Sequence, residues 1–89
     1  MVVKFFAFIR DYTGSKETSM ESCPTLREFL DKLCSRYGMG FREKIFAGDR
    51  LSDDIILMVN GRHIEHLEGL DTHLKENDEI SIFPRVAGG

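Results

Sequence analysis

Tryptophan is absent from the 89 residues, cysteine and proline occur twice each, and no apolar run approaches the length of a membrane span. Each scarcity excludes something. Without a stretch of about 18 apolar residues, no helix here crosses a bilayer. Two thiols cannot build a disulfide framework, a four-thiolate zinc site or the cage of an iron–sulfur cluster. Positive charge is short as well: 12 Lys+Arg face 15 Asp+Glu, a formal net charge of −3, which leaves no electrostatic footprint for a nucleic-acid backbone or an anionic membrane. The opening Met1-Val2-Val3-Lys4-Phe5-Phe6 has neither the basic leader nor the small-residue cleavage site of a secretory signal. Reduced thiols and a cytoplasmic protein are therefore expected. A phosphate-cradling loop is missing too, since Gly14-Ser15-Lys16 lacks the earlier glycine such a loop needs and reads as a turn.

What is present is a composition for one small globular domain, 42% apolar and 10% aromatic. A chain of this length buries roughly 60–65% of its unfolded surface, enough for one modest core. Val2 to Ile9 is β-rich, with Val3, Phe5, Ala7 and Ile9 on one face and Lys4, Phe6, Phe8 and Arg10 on the other. Asp11 to Ser15 reads as a turn and Lys16 to Ser22 as a second strand closing a hairpin. Thr25-Leu26-Arg27-Glu28 is a capping-box pattern, in which Thr25 accepts from the amide three residues on and Glu28 reaches back to the Thr25 amide. Leu26, Phe29, Leu30, Leu33, Cys34 and Tyr37 follow as one helical stripe, which Gly38 ends. Met39 to Asp54 is a long connection with room for a helical turn around Phe41 to Phe46. Ile55 to Val59 reads as a buried strand, Asn60-Gly61 as a hairpin turn, and Arg62 to Ile64 as its return. Leu67 to Leu74 has room for one helical turn, and Glu79 to Phe83 is the last strand, closed by Pro84. One helix across one face of a mixed sheet is an α+β two-layer domain. The domain spans residues 1–84, and 85–89 form a tail.

That tail, Arg85-Val86-Ala87-Gly88-Gly89, is the most informative stretch. Five extended residues reach at most about 16–18 Å, and two glycines pass a channel that excludes side chains. The Gly89 carboxylate becomes the candidate reacting group. Ionised at neutral pH, with a reference pKa of about 3.3–3.7, it is a poor electrophile and needs activation, most simply as an acyl-adenylate. This chain has no means of using ATP, so an ATP-using partner must supply that step. A floppy, functionless end is the plain alternative.

Val59-Asn60-Gly61-Arg62, Leu67-x-Gly69-Leu70-x-Thr72-x-Leu74, Asp78-Glu79-Ile80 and Phe83-Pro84-x-Val86-Ala87-Gly88-Gly89 resemble the MoaD-type ubiquitin-like sulfur carriers. These are the small subunits of molybdopterin synthase and relatives of the ThiS thiazole sulfur carrier. The likeness covers nearly the whole chain and is most specific in its last third. It implies a β-grasp fold and a carrier cycle in which the chain is not catalytic alone and binds no cofactor itself. A ubiquitin-activating-type adenylyltransferase would adenylate Gly89 with ATP, and a sulfurtransferase would convert it to a thiocarboxylate. Arg85, Val86, Ala87, Gly88 and Gly89 would then insert into the large subunit of molybdopterin synthase. There sulfur would pass to a cyclic pterin precursor of the molybdenum or tungsten cofactor. The family commonly has a second proline where this chain has Arg85, which bears on the choice of partner; a solvated charge is the plain alternative.

Phe83 and Pro84, with Phe6 and Phe8, are expected to form an apolar partner surface; cover by the long connection, or a register slip, is the alternative. Cys34 lies on the helix stripe as a core residue. Cys23 is expected to be exposed but has no basic neighbour to activate it, so a persulfide relay there is the weaker option. His63 and His66 have helical metal-pair spacing on what reads as a strand, and His73 is distant, so no metal site is expected. Two further functions remain open: a ubiquitin-like modifier joined to lysines through Gly89, and a non-covalent β-grasp interaction module.

Overall fold

The computed structural model of the chain describes residues 1–85. Its first strand, β1 (Val2–Phe5), buries Val3 and Phe5 completely. The expected continuation to Ile9 does not occur. The backbone turns left-handed at Ala7 (φ 53°), and Ile9–Thr13 wind into a short helix, α1, that closes on Gly14. Ala7, expected inside, is exposed at this corner. Ile9 is buried as expected, but from a helix. The turn brings Arg10 back so that its Nε donates to the Phe5 carbonyl at 2.9 Å, giving that backbone oxygen a partner.

The second strand, β2 (Glu17–Ser19), is shorter than Lys16 to Ser22. Its pairing with β1 is extended by the Phe5 amide donating to the Lys16 carbonyl at 2.8 Å and the Met20 amide to the Met1 carbonyl at 2.9 Å. Beyond Met20 the chain dives inward, and Cys23, expected outside, is buried at 4% exposure.

Helix α2 (Leu26–Tyr37) begins where the capping pattern sets it, with Thr25 extended and its Oγ1 accepting from the Glu28 amide at 3.3 Å. The reciprocal half of the box does not form, because the Glu28 carboxylate instead accepts from the Thr25 hydroxyl at 3.5 Å. Thr25 is bridged to His73: the Leu26 amide donates to Thr72 and the Leu74 amide to Pro24, each at 3.0 Å. Leu26, Phe29, Leu30, Leu33 and Cys34 are all buried. Gly38 stops the helix at φ 94°, a conformation few side chains adopt.

The long connection is more ordered than its sequence suggests. It holds α3 (Met39–Ile45) and a small hairpin of β3 (Phe46–Ala47) and β4 (Arg50–Leu51). Phe41 and Ile45 anchor α3 in the core, and Phe5, Tyr37 and Phe41 pack edge-on or tilted, with ring centroids 5.4–6.3 Å apart. After β5 (Ile55–Val59), Asn60 and Gly61 turn the chain at positive φ into β6 (Arg62–His63). Ile64 leaves the expected strand for a 3-10 turn (Ile64–His66), and a second such turn covers Gly69–Asp71. The last strand, β7 (Glu79–Pro84), takes in Pro84.

The main sheet runs β2-β1-β7-β5-β6, with β1 and β7 parallel at its centre and the other pairs antiparallel. Val3, Phe5, Ile55, Leu57, Val59, Ile80 and Ile82 share one core with the α2 stripe. The first strand and the last are thus side by side, so the end of β7 emerges at the sheet's centre, next to the corner at Ala7.

Candidate functional site

Alternation along β7 sends Ile80 and Ile82 into the core and leaves Phe83 half-buried on the opposite, open face. The Phe6 amide donates to the Ile82 carbonyl at 3.1 Å, which carries the β1–β7 pairing one residue past β1. That bond sets the Phe6 ring against Phe83: the two stack 4.2 Å apart and 12° from parallel. On the other side, Ile56 of β5 lies directly opposite Phe83 in the ladder. A row of Phe6, Phe83 and Ile56 therefore crosses three strands of the open face, with half-buried Met58 in the next row beside Ser81. The guanidinium of Arg10 sits 5.9 Å from the centre of the Phe6 ring.

Ile56 and Met58 escape a reading of Ile55 to Val59 as a strand buried on both sides. The strand alternates buried and half-buried, and a test for period two would have separated Ile56 and Met58 from Ile55, Leu57 and Val59. Phe8 belongs elsewhere than its strand register suggested. It caps α1, is 39% exposed, and has the Lys44 ammonium 4.7 Å from its ring centre.

The open face is polar at its margin, where Lys4 and Glu79 pair at 2.6 Å. The hydrogen bond and charge of Glu79 raise the Lys4 pKa above its ordinary value. At the other end, Pro84 lies opposite Ile55, and the Arg85 amide donates to the Asp54 carbonyl at 2.7 Å. The Arg85 Nε donates to the Asp53 carbonyl at 2.7 Å. A groove of about 450 Å³ opens beside this point, lined by Arg27, Arg50, Ile55, His63, Leu70 and Arg85 among others. Val86, Ala87, Gly88 and Gly89 lie outside the described residues.

Chemistry-bearing side chains elsewhere have structural partners. His63 accepts the Glu65 amide on Nδ1 at 3.1 Å and so caps the first 3-10 turn. Its ring and that of His66 are 6.2 Å apart, and His73 is part of the bridge to Thr25. Cys34 is buried on α2, and loss of solvent pushes its thiol pKa up. Among the described residues, no group of three or more His, Cys, Asp or Glu could hold a metal ion, and no helix is long and apolar enough to cross a membrane.

A mixed sheet with parallel central strands, wrapped on one face around a principal helix, defines the ubiquitin-like β-grasp class. Within that class the chain belongs to the ThiS family, whose sequence pattern matches residues 3–89. It is 30% identical over 89 residues to the small archaeal modifier protein 3 of Haloferax volcanii, covering 98% of this chain and 96% of that one. Identity to the molybdopterin synthase sulfur carrier subunit of Drosophila melanogaster is 32% over 90 residues, or 98% and 88% of the two chains. The solution structure of the small archaeal modifier protein 1 from Methanosarcina acetivorans matches with a TM-score of 0.87 at 38% identity, over 99% of this chain and 94% of that one. Sulfur carriers and ubiquitin-like small modifiers are the kinds of protein to which this chain is similar, and it is a carrier or modifier of that kind.

Proposed function

We propose that this chain is the sulfur-carrying small subunit of a molybdopterin synthase, with Gly89 as the acyl group that carries the sulfur. One observation supports it above the others: the Phe6–Phe83 stack stands at the root of a tail ending in two glycines. An apolar face for docking and a thin, reactive strand leaving its edge are what a carrier needs to deliver a group into another protein's site. The similarity to a molybdopterin synthase subunit over 98% of this chain points to the pterin precursor as acceptor.

The cycle begins with a ubiquitin-activating-type adenylyltransferase. The Gly89 carboxylate attacks the α-phosphorus of ATP, pyrophosphate leaves, and the acyl carbon becomes electrophilic. The terminal sulfur of a sulfurtransferase persulfide then displaces AMP, and a thiol cleaves the resulting acyl disulfide, leaving the thiocarboxylate on Gly89 and a disulfide on the donor side. Phe6, Phe83 and Pro84 dock on the large synthase subunit while the tail beyond Arg85 enters its site, with Phe8 extending the contact from α1. Sulfur passes to the pterin, and water restores the carboxylate. ATP is the activating partner's cofactor, and all the reactants are cytoplasmic.

Intact-mass measurement of the chain, co-expressed with the activating enzyme and sulfurtransferase of its own organism, tests this. Exchange of one oxygen for sulfur at Gly89, lost on addition of the large subunit and pterin precursor, is the expected result. A mass that never changes would sink the carrier role. The similarity to two small archaeal modifier proteins favours a second reading, in which the same adenylate ends in isopeptide bonds to lysines. Conjugate ladders that depend on Gly89 would reveal it, and both fates can follow one adenylate.

A further inference from the structure

Resting on the carrier reading above, we propose that Arg85 is a positioning residue, a clamp that fixes the root of the reactive tail. Two hydrogen bonds of 2.7 Å hold it, one from its amide to the Asp54 carbonyl and one from its Nε to the Asp53 carbonyl. The loop that accepts them is itself braced. The Asp54 amide donates to Ser52 Oγ at 3.2 Å, the Ile55 amide to the Ser52 carbonyl at 3.2 Å, and the Ser52 amide to the carbonyl of buried Ile45 at 2.8 Å. Arg85 is thereby tied through one short loop to the core. Proline, which the family resemblance leads one to expect here, has neither an amide hydrogen nor a side-chain donor and could make neither bond.

The consequence is geometric. Four residues remain beyond the clamp, with an extended reach of at most about 13–14 Å. Once the open sheet face has docked, a fixed root delivers Gly89 to the same place each time. A freed root enlarges the volume that the carboxylate samples and lowers its effective concentration at the partner's site. The clamp therefore acts after docking, on turnover, rather than on docking itself.

Two variants separate this role from a direct charge contact with the partner. In Arg85→Gln the amide nitrogen of the side chain sits the same number of bonds from Cα as the arginine Nε, so the donor survives without the charge. Arg85→Met keeps the length and removes the donor. Pyrophosphate exchange by the activating enzyme on the full chain gives kcat and KM, and amide hydrogen exchange at Arg85 reports the clamp directly. Arg85→Met should lose protection at the residue-85 amide and lower kcat about two- to tenfold, the range one hydrogen bond commands, with KM little changed. Arg85→Gln should keep both near the wild-type values.

If both variants instead raise KM and leave kcat alone, the guanidinium touches the partner and the clamp is wrong. Unchanged kinetics in Arg85→Met, or unchanged amide protection, also overturn it. A wild-type chain that is not adenylated at all overturns the carrier reading instead, and with it any role for Arg85 in acyl activation.

Discussion

At the scale of single residues, the informative side chains are those whose chemistry the fold suppresses or spends on structure. Cys34 is one. Its thiol pKa is raised above the ordinary value because burial penalises the thiolate, with Arg42 pulling the other way and Asp31 adding to the rise. Native protein at pH 8 should therefore react with iodoacetamide at Cys34 only as fast as it unfolds, and full labelling within minutes would contradict this burial. The folded chain holds this proton to higher pH than the unfolded chain does. Cys34 thus costs no stability below the unfolded thiol pKa, and stability should fall as pH rises through that value toward the folded one. Asn60 is the other. It turns the β5–β6 hairpin at φ 53°, donates from Nδ2 to Asp78 at 2.8 Å, and accepts the Glu79 amide on Oδ1 at 2.9 Å. Asn60→Ala loses both bonds and strains the turn, for a loss of about 1–3 kcal/mol in urea unfolding. Asn60→Gly loses the bonds but not the allowed conformation, so it should be the milder change by about 1 kcal/mol.

At the scale of elements, α2 shows what a sequence makes legible. Its start, stop and buried stripe follow from side chains within the helix itself: a hydroxyl that caps Glu28, apolar residues at helical spacing, and a glycine able to take φ 94°. Thr25→Ala should lower stability by about 1 kcal/mol and Leu30→Ala by about 2–5 kcal/mol, both measurable by thermal or urea unfolding. An equal, small effect of the two would mean the stripe is not packed as described. The same logic explains what was not legible. The corner at Ala7 breaks an alternation that continues on paper to Ile9, and the contacts that accompany it, Tyr12 of α1 beside Gly40 and Arg10 Nε on the Phe5 carbonyl, are not announced by any local pattern. Cys23 looked exposed because it precedes a proline in a polar stretch, yet the Thr25–His73 bridge draws that stretch inward from a segment distant in sequence. In the candidate site the pattern was similar. Phe83 on the open face follows from simple alternation in β7, whereas its stacking on Phe6 and the anchoring of Arg85 depend on strand pairings that bring residues far apart in sequence together.

At the scale of the whole molecule, the proposed carrier role asks two tasks of one small protein, holding on to a partner and reaching into it, and assigns them to different parts of the chain. In the proposed carrier role Phe6, Phe83 and Ile56 would be the docking row, an apolar row across the central strands with the core on the other side of the sheet. The chain leaves that row at Pro84 and Arg85, and the two hydrogen bonds of Arg85 to the Asp53–Asp54 loop lie at the rim of the same face. Mutations at the two ends should then fail differently. Phe83→Ala removes a half-buried ring from the open face, so the β-grasp core should survive with a loss of about 1–3 kcal/mol, from its stacking on Phe6 plus the part of the ring that is buried. Its association with the large synthase subunit should weaken about 10- to 100-fold, as expected for an aromatic anchor at an interface centre. Deleting Gly89 should do the reverse, leaving the association constant within about twofold, since the docking row is intact, while abolishing adenylation and sulfur transfer. Isothermal titration of each variant against the large subunit, with intact mass read on the same samples, measures both quantities. If Phe83→Ala binds normally, the open face is not the docking surface and the tail must carry the affinity itself; loss of affinity on deleting Gly89 would say the same from the other end.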